Sequence, residues 1–338
     1  MTTAAPTDAA EIPEGIDGPS VTAWFEAHAA SVAPPLTFER IAGGQSNLTY
    51  KVTDTAGGAW VLRRPPLGHV LATAHDMGRE HRVMSALAPT DVPVPPMVGL
   101  CTDESVNGVP FYVMGFVDGL VVRGQDVAAG MSVQQRARAG EDVADVLARI
   151  HAVDPDAVGL GDLGRKEGYI ERQLRRWYGQ WEKSKTRELP TVDAVHDALV
   201  ARVPEQGAAA IVHGDYRLDN CLLAPDGHIA AVLDWELCTL GDPLADVGLL
   251  IVYWTEPGDE RPALPGGATA LEGFPPRDEL IGRYADASGR DVSAIDYYVA
   301  FGYWKLACIL EGVYARYRGG AMGDASGFEL FSAQVEML

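Results

Sequence analysis

Two periodicities divide the chain. In the first third, apolar residues recur every second position over short stretches bounded by turn residues. This predicts strands over residues 37–41, 48–53 and 60–64, separated by the small-residue turn 42–47 and a second turn at 54–58. Residues 73–87 place Met77, Val83, Met84 and Leu87 on one helical face, and the proline-rich stretch 89–96 ends that helix. Two more strands are expected near 98–102 and 109–117, with Asn107-Gly108 between them as a hairpin signal. After Asp118-Gly119 the apolar spacing lengthens. Long amphipathic helices are predicted over 133–151 and 169–181, helices again from 244, and another over 295–317. Short apolar strands are expected at 209–212, 221–223 and 229–233. The predicted architecture is α+β and bilobal: a flexible tail over 1–20, a strand-rich lobe over 21–116 and a mainly helical lobe over 117–338.

Composition narrows the class. The chain has 338 residues, 47% of them hydrophobic, which suits a soluble globular protein. Its longest strongly apolar stretch, residues 247–254, is too short to cross a bilayer. The acidic, Ala- and Pro-rich start lacks the basic and apolar segments of a signal peptide. Four isolated cysteines form no CxxC pair or zinc-type cluster, so reduced thiols in a cytoplasmic protein are expected. A net charge of −20 argues against non-specific nucleic-acid binding. No membrane partner is expected, and a homodimer is compatible with the sequence although no motif specifies one.

The chemistry concentrates in His213-Gly214-Asp215-Tyr216-Arg217-Leu218-Asp219-Asn220. Asp215 and Asn220 stand five apart, the Asp-x-x-x-x-Asn spacing of a kinase catalytic loop. The apolar run 230–233 then delivers Asp234 after a hairpin turning at Asp226-Gly227. A lone acidic residue at a strand end is ordinarily a cap. Asp215, Asn220 and Asp234 in this order can instead converge on one point, and a carboxylate with an amide oxygen suits Mg²⁺. Arg217 is expected beside the transferring phosphoryl group, the alternative being a structural pairing with Asp242 or Asp246. His213 and Asp246 are read as anchors of the loop backbone.

With these residues the sequence resembles the aminoglycoside phosphotransferase-like kinases over residues 38–318. Within them it is similar to the branch associated with acyl-CoA dehydrogenases, through Trp60-Val61-Leu62-Arg63-Arg64-Pro65-Pro66, Tyr169-Ile170-Glu171-Arg172-Gln173-Leu174 and the run from Leu233 to Pro243. The resemblance implies a protein-kinase-like fold and an ATP- and Mg²⁺-dependent transfer to a small-molecule hydroxyl. It implies Asp215 as the group that orients the acceptor proton, and Asn220 and Asp234 as metal ligands. Glu80 would pair with Arg63, where the family usually carries lysine or arginine. Gly43, Gly44, Ser46 and Asn47 would cover the triphosphate, and the connector Met114-Gly115-Phe116-Val117 would offer backbone bonds to adenine.

Residues 165–187 hold eight basic residues against three glutamates, in an otherwise acidic protein. Arg172 and Arg176 share a helical face and Trp177 lies beside them, a set that suits an anionic acceptor. The branch's association with hydroxyacyl-CoA fits such a ligand. A hydroxylated amine or aminoglycoside, or a silent nucleotide-binding scaffold, are the alternatives. No room remains for a flavin dehydrogenase domain. Residues 255–276, rich in Gly and Pro, read either as a lid or as a long surface loop.

Overall fold

A computed structural model of the chain describes residues 12–41, 47–67, 76–259, 263, 267–318 and 328–338, with the side chains of 328–332 outside the description. The chain divides into two compact units. One runs to Pro89 and takes in Val94–Asp118; the other holds Thr90–Pro93 and Gly119–Leu338.

The first unit carries helix α1 (Gly18–His28), strands β1 (Thr37–Arg40), β2 (Leu48–Thr53) and β3 (Ala59–Arg64), helix α2 (Met77–Leu87), strand β4 (Met97–Cys101), a single helical turn α3 (Glu104–Asn107) and strand β5 (Phe111–Gly115). The five strands form one antiparallel sheet in the order β1-β2-β3-β5-β4. Along β2, Leu48, Tyr50 and Val52 are buried and the residues between them are not, the alternation a half-buried strand requires. These residues pack with Val21, Trp24 and Phe25 of α1 and with Leu62, Phe111 and Val113 into the core of this unit.

Two features depart from expectation. Helix α1 starts inside the stretch expected to be a tail. Asp17 caps it by accepting from Ser20 N–H, the Asp17 amide donates to Asn107 Oδ1 at 2.8 Å, and Glu14 O accepts from the Tyr50 hydroxyl at 2.6 Å. Strands β4 and β5 do pair, but Asn107-Gly108 is no two-residue hairpin turn. Asp103 caps α3, which draws Asn107 into a helical turn that Gly108 ends at φ +75°.

In the second unit the helices are α4 (Gln125–Ala129), α5 (Val133–Ala152), α6 (Tyr169–Ser184) and α7 (Pro190–Val200). After them come strands β6 (Ala210–Val212), β7 (Cys221–Leu223), β8 (Ile229–Val232) and β9 (Thr239–Gly241). Helices α8 (Leu244–Tyr253), α9 (Arg277–Ser288), α10 (Ile295–Arg318) and α11 (Phe328–Met337) complete the unit. A reciprocal Ser132–Gln135 capping box starts α5, whose buried face carries Val143, Val146, Leu147 and Ile150. Helix α8 is buried along almost its whole length, and α10 packs on α8, α6 and α11. Two small antiparallel sheets, β6–β9 and β7–β8, lie beside these helices in the chain order and carry the candidate site at their ends. The β7–β8 hairpin turns at Asp226-Gly227, as the sequence suggests, with Gly227 at φ +95° and Asp226 Oδ1 accepting from His228 N–H.

Candidate active site

In the second unit, β6 ends at Val212 and runs straight into His213-Gly214-Asp215. Gly214 sits at φ +87°, and a Cβ there would meet Leu237 O at 2.9 Å, so glycine is required by backbone and by space. The first turn of α8 fastens this loop. Asp246 accepts from His213 N–H at 2.6 Å and Gly214 N–H at 2.9 Å, and it also meets His151 Nε2 at 3.3 Å. Burial alone would raise the Asp246 pKa. Hydrogen bonding from His151, the charges of His151 and His213 and the Gly214 amide outweigh it and hold the carboxyl below its usual range. Burial pushes the His151 imidazole down, and its other nitrogen bonds the Tyr284 hydroxyl at 2.8 Å. His213 Nδ1 accepts from Asp215 N–H at 3.3 Å, so its Nε2–H donates to Leu233 O at 2.9 Å. His213 and Asp246 thus both bond the loop backbone.

Both oxygens of the Asp215 carboxylate are engaged. Asn220 Nδ2 donates to Oδ2 at 3.1 Å and to the Asp215 carbonyl at 2.8 Å, and the Tyr253 hydroxyl donates to Oδ1 at 3.3 Å. Burial raises the Asp215 pKa, with Arg217, His213 and Lys305 opposing it. Asn220 ends a 3₁₀ turn, Leu218–Asn220, which lets a five-residue spacing fold back on itself. The Leu233 amide donates to Asn220 O at 2.8 Å, so the residue before Asp234 is tied to Asn220. Asp234 itself stands two residues beyond the end of β8, at φ +65°, a strained conformation for a non-glycine residue.

Arg217 takes neither of the structural partners considered for it. Its guanidinium bonds Asp219 and lies over the Tyr253 ring at 4.8 Å. Asp242 instead accepts from the Tyr298 hydroxyl at 2.6 Å and from Leu244 N–H at 3.1 Å. Burial works against the charge on Arg217, but Asp219 and Asp215 outweigh it and raise its pKa.

In the first unit, Glu80 of α2 is 1% exposed and accepts from Arg63 of β3 at 3.1 Å. Tyr112 donates to Glu80 at 2.8 Å and Asn47 Nδ2 at 3.2 Å. Asn47 therefore braces Glu80. Gly43, Gly44 and Ser46, the other residues expected over a triphosphate, lie outside the described residues. The connector needs a correction. The amides of Gly115 and Phe116 donate to Pro96 O at 2.7 Å and Ala59 O at 3.1 Å, and Met114 pairs with Val61 and Met97 inside the sheet. The sheet therefore already engages the Gly115 and Phe116 amides, two of the backbone groups of the 114–117 connector expected to face a base.

On α6 the basic residues are unequal. Arg172 turns its guanidinium onto the carbonyls of Glu167 and Arg165 at the start of its own helix, so the substrate contact expected of it is occupied by backbone. Lys166 pairs with Asp156, and Lys185 with Glu182 and Glu188. Arg176 remains exposed, over the Trp177 ring at 5.3 Å. Trp177 is buried, and the Lys305 ammonium lies 5.7 Å from its ring. Residues 255–276 are anchored where described: Thr269 Oγ1 accepts from Thr255 N–H and donates to Thr255 O, and Arg277 binds Glu256 and Asp259.

Residues 37–280 match the family described as Phosphotransferase enzyme family. The chain belongs to this family. Mouse acyl-CoA dehydrogenase family member 10 is 36% identical over 86% of the chain, which spans only 28% of that protein. A solved structure of a Ralstonia eutropha protein, provisionally assigned as an aminoglycoside phosphotransferase, is 37% identical, covers 95% of this chain and 96% of its own, and superposes with a TM-score of 0.81. A macrolide 2'-phosphotransferase from Brachybacterium faecium covers 94% and 97% at 21% identity and a TM-score of 0.62, which shows the shared bilobal α+β, kinase-like fold. The phosphotransferase family match ends within α9, so α10 with Lys305 lies beyond it.

Three residues that hold the candidate side chains escaped sequence reasoning. Tyr253 bonds Asp215 from 38 positions away and Lys305 bonds Gly214 from 91. Tyr112 likewise reaches Glu80 from 32 positions away. A lone lysine amid Trp304, Leu306, Ala307 and Cys308 was the one local hint of a buried cation.

Proposed function

We propose that the chain is an ATP-dependent kinase that phosphorylates a hydroxyl of a small molecule, in the cytoplasm. Asp215 carries this reading: a carboxylate held by Asn220 on one oxygen and within reach of a hydroxyl, that of Tyr253, on the other. An acceptor alcohol presented there would be aligned for in-line attack and would give up its proton to a carboxylate whose pKa burial has raised. Phosphoryl transfer needs little covalent help from the protein, so positioning and charge neutralisation supply most of the rate. Arg217, Arg63 and the Glu80 brace are the cationic and positioning groups assigned to the phosphates.

Asn220 and Asp234 fit Mg²⁺. The Asn220 amide nitrogen is committed to Asp215, which leaves the amide oxygen as its donor to a cation, and a carboxylate and an amide oxygen are the hard ligands this ion takes. When bound, Mg²⁺ neutralises charge on the nucleotide phosphates.

For the acceptor we favour a hydroxyacyl-CoA or another hydroxylated anion. Arg176 stands exposed beside Trp177, and Lys305 links that ring to the catalytic loop. The relatives named as acyl-CoA dehydrogenase family members support the thioester, and the chain spans 28% of one of them and 42% of another. The provisional assignment of the Ralstonia protein and the net charge of −20 favour an aminoglycoside as the second reading. Mg²⁺-dependent ATP consumption is measured with hydroxyacyl-CoA thioesters and with aminoglycosides, with Asp215→Ala as control. Turnover of thioesters alone supports the first reading, turnover of aminoglycosides alone the second. Equal turnover by Asp215→Ala would sink the catalytic assignment.

A further inference from the structure

The peptide unit that enters Asp215 is gripped from two sides. Its N–H, that of Asp215, donates to His213 Nδ1; its carbonyl, that of Gly214, accepts from Lys305 Nζ at 3.0 Å. Lys305 reaches the loop from the middle of α10 and is only 7% exposed. Trp177 of α6 lies beside its ammonium, and its helix neighbours Trp304, Leu306 and Cys308 are buried. Sinking an ammonium into such surroundings costs several kcal/mol unless charge and hydrogen bonding offset it. A water molecule could satisfy one carbonyl, so the carbonyl alone does not explain a lysine there. Burial pushes this ammonium down, the Asp215 and Asp246 carboxylates pull it back up and the Arg176 charge opposes them, so nearby negative charge is what favours a cation there.

We infer that Lys305 is a positioning residue for phosphoryl transfer: by holding the Gly214 carbonyl it sets the backbone orientation from which the Asp215 carboxylate points. This rests on the phosphotransferase reading of Asp215. Lys305 reaches the loop through the Gly214 carbonyl.

Lys305→Met and Lys305→Arg in the full chain test it. Methionine fills a similar volume without a donor, and removing one member of a buried charge set can cost several kcal/mol, so stability is read beside activity and Lys305→Arg keeps both charge and donor. Three quantities are read together: urea stability, hydrogen exchange of the peptide covering residues 211–218, and kcat and KM for both substrates. In Lys305→Met the loop amides are expected to exchange about tenfold faster, the net loss of one hydrogen bond. The kcat is expected to fall about 100-fold, as for a misplacement of roughly 1 Å, with both KM values little changed. Lys305→Arg is expected to recover part of kcat. Unchanged exchange, unchanged kcat, or a kcat loss that merely follows the unfolded fraction would each overturn the inference. If the unmodified chain turned over no acceptor, the functional reading would fail by itself, and the exchange rates would still decide whether Lys305 holds the loop.

Discussion

Asp246→Asn is the most informative single change, because it leaves every proposed catalytic group in place and removes only what fastens their loop. The carboxylate is 1% exposed and takes the amides of His213 and Gly214 at 2.6 and 2.9 Å, with His151 at 3.3 Å. The amide side chain keeps one acceptor oxygen and turns an NH₂ group against one of the two backbone N–H groups. Hydrogen bonds to a charged group contribute about 1.5–3 kcal/mol each, and a buried donor left unmatched costs about 1–3 kcal/mol more. The expected loss is therefore about 3–5 kcal/mol, a large part of the roughly 5–15 kcal/mol that holds a domain folded. Urea unfolding followed by tryptophan emission reads it directly, since the Trp235 ring packs 4.7 Å from His213 and reports on this loop. The midpoint is expected to fall with an unchanged denaturant slope. A loss under about 1 kcal/mol would refute the reasoning, showing that the two amides find other partners as readily as this carboxylate.

Three further outcomes are expected. Gly214→Ala places a methyl 2.9 Å from Leu237 O at a positive φ, so a destabilisation of about 1–3 kcal/mol should accompany loss of turnover; wild-type behaviour in both would contradict the tight loop. Tyr112→Phe removes one of the hydrogen bonds on buried Glu80 and should lower stability by about 1–3 kcal/mol, read by thermal or urea unfolding, whereas no change would mean that Arg63 and Asn47 alone satisfy that carboxylate. Burial holds the His151 imidazole below its ordinary range, and His81 in the same direction. As pH falls below about 6.5 the unfolded chain binds protons that the folded chain refuses, so stability should decline, by at most about 1.4 kcal/mol per pH unit for each group. Urea midpoints that stay level between pH 7.5 and 5.5 would rule this out.

The strands β2 and β3, the helix α5 and the Asp215–Asn220 spacing were legible because each is a local property. Alternation of period two, a capping box and a single 3₁₀ turn all act within a few residues, and nothing distant competes with them. Helix α1 was not recognised, although Val21, Trp24 and Phe25 have helical spacing, because its stability comes from packing under a sheet formed by later strands. Asn107-Gly108 misled for a nearer reason: the Asp103 side chain offers the following amides a helical cap, and that bond decided the turn. The Gly115 and Phe116 amides could not be assigned from the chain, since only the strand pairing shows that Pro96 and Ala59 already accept from them. The largest gap lies around Asp215. Its own loop names Asp215, Asn220 and His213, whereas Tyr253 and Lys305 arrive from α8 and α10. A side chain contributed by a separate helix leaves no spacing to read, because the distance that matters is set by how α8 and α10 pack on each other and on the loop. Sequence alone named the residues proposed to carry phosphoryl transfer. Tertiary structure decided which groups hold that chemistry in place, because a buried charge is stabilised by its neighbours in space and not by its neighbours in the chain.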